Sequence, residues 1–339
     1  MRKLRVALLM HDYLVPPEDV SGHDLMAVQW KTEYDVLTTL RDMGHDVRPV
    51  GIKDDLTVIR RAVEEFKPHI AFNLMENFHE IGAFDHNVVS YLELLRVPYT
   101  GCNPRGLMLA RDKALSKTLL SYHRIPVPDF LVVHVGRKPR LPRRMAFPLI
   151  VKSLTQEASI GISQASVVDD EGKMRERVAF IHASIGTDAI IERYVDGREL
   201  YVGIIGNQRL RVFPVWELHF TKMPDEVHRI ATERVKWSAK YQRKYGIKTR
   251  AAEMPDETAA QIQRLCKRVY RTLDLSGYAR IDLRMDESER VFVIEANPNP
   301  QIAYGEDFGE SAERAEVTYE DLLQQILLAG LRWRPERLG

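Results

Sequence analysis

The sequence predicts an α/β protein whose first part carries a parallel sheet and whose later part is α+β. Three observations predict it. Near the N-terminus, short apolar runs alternate with amphipathic helical periods, the pattern of parallel strands joined by crossover helices. Further on, 279–285 and 291–297 are two strand-like runs separated by a short charged segment, the pattern of an antiparallel hairpin. At 339 residues the chain also exceeds one ordinary core, so two or three domains are expected.

In order, residues 4–10 form a buried first strand that runs into His11 and Asp12. Open α/β sheets bind ligands beyond the carboxyl ends of their strands, which makes 11–24 a candidate substrate loop. Residues 28–43 are helical and stop at Gly44, 46–50 are a strand, and 56–66 a second helix ended by Pro68. A third strand over 69–74 leads into Asn73, Glu76 and Asn77, and 86–95 are helical. No Gly-x-Gly-x-x-Gly follows the first strand, so a dinucleotide fold is not supported. After Gly101 a helix reaches about His123, with Lys113 in its first turn, where a cation opposes the helix dipole unless it serves an anion.

The run Phe147-Pro148-Leu149-Ile150-Val151-Lys152 is a strand ending in lysine, and 153–161 are a loop of small residues before a returning strand at 162–168. Lys152 with Ser159 and the loop amides suits a triphosphate, although the Walker spacing is absent. A helix over 171–183 precedes strands at 188–195, 199–206 and 211–218. Residues 221–250 are long, polar and basic, of the kind that forms a lid. A helix at 257–273 precedes the hairpin, and a tail helix opens at Thr318 with Asp321 in the capping-box position.

Composition narrows the function. Hydrophobic content of 45% and charged content of 29% suit a soluble globular protein. A net charge of +1 gives no general attraction to nucleic acid or anionic membrane. The basic run 137–144 has no aromatic residues interleaved for base stacking and reads as a solvated connector. No apolar segment is long enough to span a bilayer, and the run after Lys3 is too short for a secretory signal. The two cysteines, Cys102 and Cys266, suggest no disulfide framework and fit a reducing compartment, so a cytoplasmic location is expected.

The hairpin poses an electrostatic question. Paired around a four-residue turn, Glu287 to Arg290, with Asp286 opposite Val291, it sets Asp282 against Glu295 and Arg280 against Asn297. All four point to one face. Directly opposed carboxylates sit about 5 Å apart at Cβ and repel. Either a divalent cation such as Mg²⁺ joins Asp282, Glu295 and Asn297, or Arg280 and Arg284 neutralise the pair.

Assembled, these motifs resemble the ATP-grasp superfamily, and D-alanine–D-alanine ligases in particular. The motifs are Pro98-Tyr99-Thr100-Gly101 with Asp112-Lys113, the strand ending in Lys152, Ile191-Glu192-Arg193-Tyr194, Gly197-Arg198-Glu199, and Arg280-Ile281-Asp282 with Glu295-Ala296-Asn297. They stand in the family's order from about residue 69 to 330. The resemblance implies an ATP-grasp fold of three domains: an N-terminal domain over 1–105, a central lobe over 106–195 and a C-terminal lobe over 196–339. It implies ATP and Mg²⁺, with Mn²⁺ as an alternative ion. Lys113, Lys152, Ser159 and Gly161 would hold phosphates. Glu192 and Val195 would meet adenine, and Glu199 the ribose. Asp282, Glu295 and Asn297 would hold the metal. Arg280 would stabilise the oxyanion, and Lys240 would reach the γ-phosphate from the lid. The implied activity is ADP-forming ligation of a small-molecule carboxylate to an amine through an acyl phosphate, in a protein that forms a homodimer within the family. The alternatives are an enzyme of this fold that phosphorylates or carboxylates another small molecule, and a non-catalytic nucleotide-binding module.

The sequence departs from the family in three places. The family's N-terminal glycine loop is replaced by His11-Asp12-Tyr13-Leu14-Val15, and the phosphate loop carries Glu157-Ala158. The loop after Asn297 ends at Glu306-Asp307, where the family has a serine for the second substrate's carboxylate. Two acids there would repel a carboxylate and favour a cationic or polar amine.

Overall fold

The computed structural model describes residues 3–156, 159–224 and 227–335. Glu157 and Ala158, noted above, lie outside the described residues. The chain opens with β1 (Arg5–His11), α1 (Lys31–Asp42), β2 (Asp46–Ile52), α2 (Thr57–Phe66) and β3 (Ile70–Asn73). The sheet order is β2-β1-β3, parallel throughout, as the alternation predicts. From Val6 to His11 every residue of the central strand β1 is buried, which is why it reads as continuous apolar sequence rather than an alternating one. α3 (Asp85–Leu94) follows, and Tyr99 adds a parallel bridge to Ala71.

α4 (Pro104–Arg111) was not anticipated, although its start is written in the sequence. The Asn103 side chain accepts from the Gly106 N–H, and Pro104 occupies the first helical position. α5 (Lys113–Tyr122) begins at once, capped by Asp112, which accepts from the Ala114 and Leu115 amides.

A second sheet contains β4 (Phe130–Val133), β5 (Leu149–Ser153), β6 (Val167–Val168) and β7 (Ala189–Arg193), in the antiparallel order β4-β7-β5-β6. The strand expected over 162–168 shrinks to β6. Ser163 and Ser166 cap one another and wind Gln164–Ser166 into a tight 3₁₀ turn. α6 (Glu171–Phe180) covers this sheet and ends in one π turn through Ile185.

The largest sheet runs β11-β10-β8-β12-β13, with a short β9 beside β8. Its members are β8 (Arg198–Ile205), β9 (Arg211–Val212), β10 (Trp216–Phe220), β11 (Ile247–Ala251), β12 (Tyr278–Met285) and β13 (Val291–Pro298). The single strand expected over 211–218 is split into β9 and β10, with Pro214, which has no N–H for the ladder, in the gap. The stretch 221–250, expected as a lid, carries α7 (Glu233–Trp237), α8 (Ala239–Tyr245) and the start of β11. α9 (Asp256–Thr272) packs its Ile262, Cys266 and Val269 face on the sheet.

The hairpin register has a structure that simple counting misses. Arg280 opposes Asn297 and Asp282 opposes Glu295. Beyond Asp282 the register shifts, so that Leu283 pairs with Val293 and Met285 with Val291. Ile294 is left as a bulge, and Asp286 no longer pairs with Val291. Instead its carboxylate accepts from the Ser288 and Arg290 amides, closing a five-residue turn outside the ladder.

α10 (Asp307–Glu313), also unanticipated, leads to α11 (Tyr319–Arg332), whose Thr318 cap accepts from the Asp321 N–H. α11 returns to the first sheet, where Leu322, Leu323, Ile326 and Leu327 share one buried cluster with Val6, Leu8 and Phe72. Among the described residues no helix is long and apolar enough to cross a membrane.

Candidate active site

Two sheets present their faces to one cleft, which holds about 750 Å³ of empty space including its open mouth. Ile150 and Lys152 of β5 and Glu192 of β7 line one side. Glu199 of β8, Asp282 and Arg284 of β12, and Glu295 of β13 line the other. Lys113 enters from α5, Tyr194 and Val195 from the link between β7 and β8, and Ser159 and Lys236 from the covering segments.

The cleft's charges are tightly organised. Lys152 Nζ lies 2.8 Å from Glu192 Oε2, and Lys117 Nζ lies 3.3 Å from Oε1 of the same carboxylate. Lys117 and Glu192 are each only 1% exposed. Burial alone would raise the Glu192 carboxyl, but Lys117 and Lys152 outweigh it and hold it below the usual range. Lys113 donates to the Gln156 carbonyl at 2.7 Å and lies 3.8 Å from Glu295 Oε2. Burial opposes ionisation of Glu295, yet Lys113, then Lys236 and Lys152, draw its carboxyl down to about 2. The result is a carboxylate opposite Asp282 with lysines gathered over it, a charge pattern suited to a polyanion.

Arg280 Nε and Nη2 donate to the two Asp282 oxygens at 2.8 and 2.9 Å, and the Tyr201 ring lies 4.6 Å from its guanidinium. Asn297, opposite Arg280, has a buried Nδ2 with no partner among the described residues. Both Glu199 oxygens are engaged, by Tyr201 OH and by Arg284 Nη2, each at 2.8 Å. Arg284 also donates to the Gly197 and Arg229 carbonyls, so it fixes the start of β8 and the covering segment together.

The cover is closed by hydrogen bonds between two loops. Ser159 Oγ donates to the Ala231 carbonyl at 2.7 Å rather than standing free over the cleft. Gln164 and His228 exchange two bonds, and the Glu233 N–H donates to the Ile162 carbonyl.

The predicted site residues are thus largely brought together. Lys113, Lys152, Ser159, Glu192, Val195, Glu199, Asp282 and Glu295 line the cleft. Arg280 adjoins it through Asp282, and Asn297 shares the face of Glu295. Gly161 lies behind the wall: it has φ +71°, its carbonyl accepts from Arg177, and an added Cβ would meet Ile185 at 3.1 Å. Lys240 is exposed on α8 and is not among the lining residues, whereas Lys236 of α7 is.

Sequence reasoning missed Lys117 and Lys236 as members of the site, and it set Arg284 against the Asp282 and Glu295 pair, whereas Arg284 pairs with Glu199. Lys117 stands four residues after Lys113, hence on the same helical face, and that spacing was a usable signal. The bulge at Ile294 was not. The Ile294 carbonyl receives Lys117 Nζ at 2.5 Å, beside Glu295. No group of three or more His, Cys, Asp or Glu side chains suited to a metal occurs among the described residues. Asp282, Glu295 and Asn297 share one face and carry oxygen donors of the kind Mg²⁺ takes, while Arg280 holds both Asp282 oxygens.

Residues 119–328 match the family model described as D-ala D-ala ligase C-terminus. An uncharacterized protein, y4sG, from Sinorhizobium fredii is 30% identical over 302 residues, covering 86% of this chain and 85% of that protein. A D-alanine–D-alanine ligase from Desulforudis audaxviator is 28% identical over 295 residues, covering 86% and 90%. Among solved structures, the Bacillus anthracis D-alanine–D-alanine ligase complexed with ATP superposes with TM-score 0.75 at 20% identity, covering 98% of this chain and 99% of that one. The VanG D-Ala:D-Ser ligase from Enterococcus faecalis does so with TM-score 0.68 at 15% identity, covering 97% and 100%.

Proposed function

The chain belongs to the D-alanine–D-alanine ligase family defined by that C-terminal domain, with the ATP-grasp fold, and on that premise we propose that it joins a carboxylate to an amine through an acyl phosphate, releasing ADP and phosphate. The donor carboxylate belongs to an amino acid or small peptide, not necessarily D-alanine. The observation that carries this reading is the cleft itself: Lys113, Lys152 and Lys236 converge on Glu295 between two sheets, with Asp282 opposite and Arg280 adjoining.

The chemistry follows from the charges. A carboxylate is a poor electrophile, and phosphorylation gives it a good leaving group. Lys113, Lys152 and Lys236 neutralise the phosphate oxygens. Lys236 takes the γ-phosphate role first assigned to Lys240, because Lys236 lines the cleft. The Glu192 carboxylate is consumed by two lysines, so it positions Lys152, and the adenine meets the backbone of the Tyr194–Val195 link. Glu199 receives the ribose hydroxyls. Asp282, Glu295 and Asn297 would hold Mg²⁺, which supplies charge neutralisation to the transferring phosphoryl group. Arg280 presents positive charge where the tetrahedral intermediate becomes an oxyanion. The closed Ser159–Ala231 clasp keeps water from the acyl phosphate. We also take 1–105, 106–195 and 196–339 as the domain division, with limited proteolysis as its test.

The test is an ADP-release assay with paired carboxylates and amines and mass detection of the amide. ADP formation that needs only one of the two would favour simple phosphorylation instead.

A further inference from the structure

We propose that Arg284 is a positioning residue that makes closure of the cover depend on the ribose hydroxyls of the bound nucleotide. The proposal rests on the reading of Glu199 as the ribose contact and adds a link from that contact to the covering segment.

Arg284 lines the cleft from β12, is 5% exposed, and stands opposite Glu199 in the strand register. One of its nitrogens serves two acceptors. Nη2 donates to Glu199 Oε2 at 2.8 Å and to the Arg229 carbonyl at 2.6 Å, and it carries one N–H for each. Nη1 donates to the Gly197 carbonyl at 3.1 Å. The guanidinium therefore joins the cleft sheet, the β7–β8 link and the cover. Because the fork is planar and rigid, a shift of the Glu199 carboxylate moves the same nitrogen that holds the cover.

Arg229 belongs to the part of the cover that meets the cleft. Ile230 and Ala231, the next two residues, line it. Ile230 is 3% exposed and shares a buried cluster with Tyr194 and Val167. This stretch has two tethers. On the phosphate side, Ser159 Oγ donates to the Ala231 carbonyl at 2.7 Å. On the sugar side, Arg284 holds Arg229. Glu199 keeps capacity for the sugar: Tyr201 OH and Arg284 Nη2 each take one site on separate oxygens, and a carboxylate oxygen accepts more than one hydrogen bond. Ribose hydroxyls that donate to Glu199 fix its carboxylate, and the fixed carboxylate holds Arg284 against the cover. Two events coupled through one group strengthen each other by the same factor.

The test follows hydrogen exchange in peptides spanning 228–236, with Mg²⁺ and saturating ATP or 2′,3′-dideoxy-ATP, and with no carboxylate or amine substrate present. In the native enzyme ATP is expected to slow exchange there by about tenfold or more, and the dideoxy nucleotide by less than about threefold. Arg284→Met should weaken ATP binding by about tenfold or more and leave the two nucleotides equal in their protection at saturation. Arg284→Lys keeps the charge but has no fork to span Glu199 and two carbonyls, so it too should lose the difference, and it replaces the methionine variant if that one fails to fold. Equal protection by both nucleotides in the native enzyme overturns the proposal. So does an ATP-specific protection that survives in either folded variant. If the native enzyme binds neither nucleotide, the nucleotide reading of the cleft has failed and this proposal falls with it.

Discussion

Lys117 sits where three parts of the chain meet. It leaves α5, lies 3.3 Å from Glu192 on β7 and donates to the bulged Ile294 carbonyl on β13. A buried ammonium with two such partners locks the lysine-binding wall to the Glu295 strand. Replacing it with methionine leaves Glu192 with Lys152 alone, and a loss of about 2–4 kcal/mol in unfolding free energy is expected. A double-mutant cycle with Glu192→Gln should show coupling above about 1 kcal/mol, and additive effects would remove the pin. Glu33 carries a different cost. It is 5% exposed, with one oxygen unpartnered among the described residues, and burial lifts its carboxyl from 4.5 to about 7. The folded state therefore prefers the proton. The charged form lowers stability above pH 7, the penalty shrinks as pH falls towards 4.5, and it is absent below. Glu33→Gln should raise unfolding free energy at pH 8 by about 3 kcal/mol and much less at pH 5. A pH-independent gain would contradict the assignment. Sequence spacing showed Lys113 and Glu295 because each sits in a motif. Burial made Lys117 and Glu33 important, and burial is not written at a single position.

Between elements, the link from β7 to β8 is the narrow point. Gly197 has φ +131°, and an added Cβ would lie 2.1 Å from the Met285 carbonyl at the end of β12. Gly197→Ala should cost about 2 kcal/mol or more, seen as a lower denaturation midpoint, because strain and a backbone clash coincide. An unchanged midpoint would show that the turn can relax. Asp-Gly marked this turn in the sequence, as the paired strands marked the hairpin. The hairpin's base register was legible from alternation, which placed Asp282 opposite Glu295. Its tip was not, because Asp286 turns the chain with side-chain hydrogen bonds that periodicity does not report. α4 was missed for the reverse reason. Asn103 and Pro104 announce a helix start, but the segment is short and lies between two clearer signals.

For the whole molecule, the folding order brings distant segments to one cleft. β5 and β7 supply Lys152 and Glu192, β8 supplies Glu199, and the hairpin supplies Asp282 and Glu295, so no local stretch is the site. The kind of site was legible because each strand end keeps its own short motif. The cover was not legible, since Lys236 and Lys240 lie in one basic segment and only the fold of α7 and α8 tells them apart. Glu295→Gln should still fold, at a lower unfolding free energy because Lys113, Lys236 and Lys152 lose their carboxylate, while lowering turnover by at least about 100-fold. Normal turnover in that variant would remove the metal assignment. The central claim is tested most directly by ADP release with carboxylate and amine supplied singly and together. Ligation predicts ADP, phosphate and an amide of the summed mass less water only when both are present. ADP formed equally with either one alone, or with no amide in the products, would contradict it.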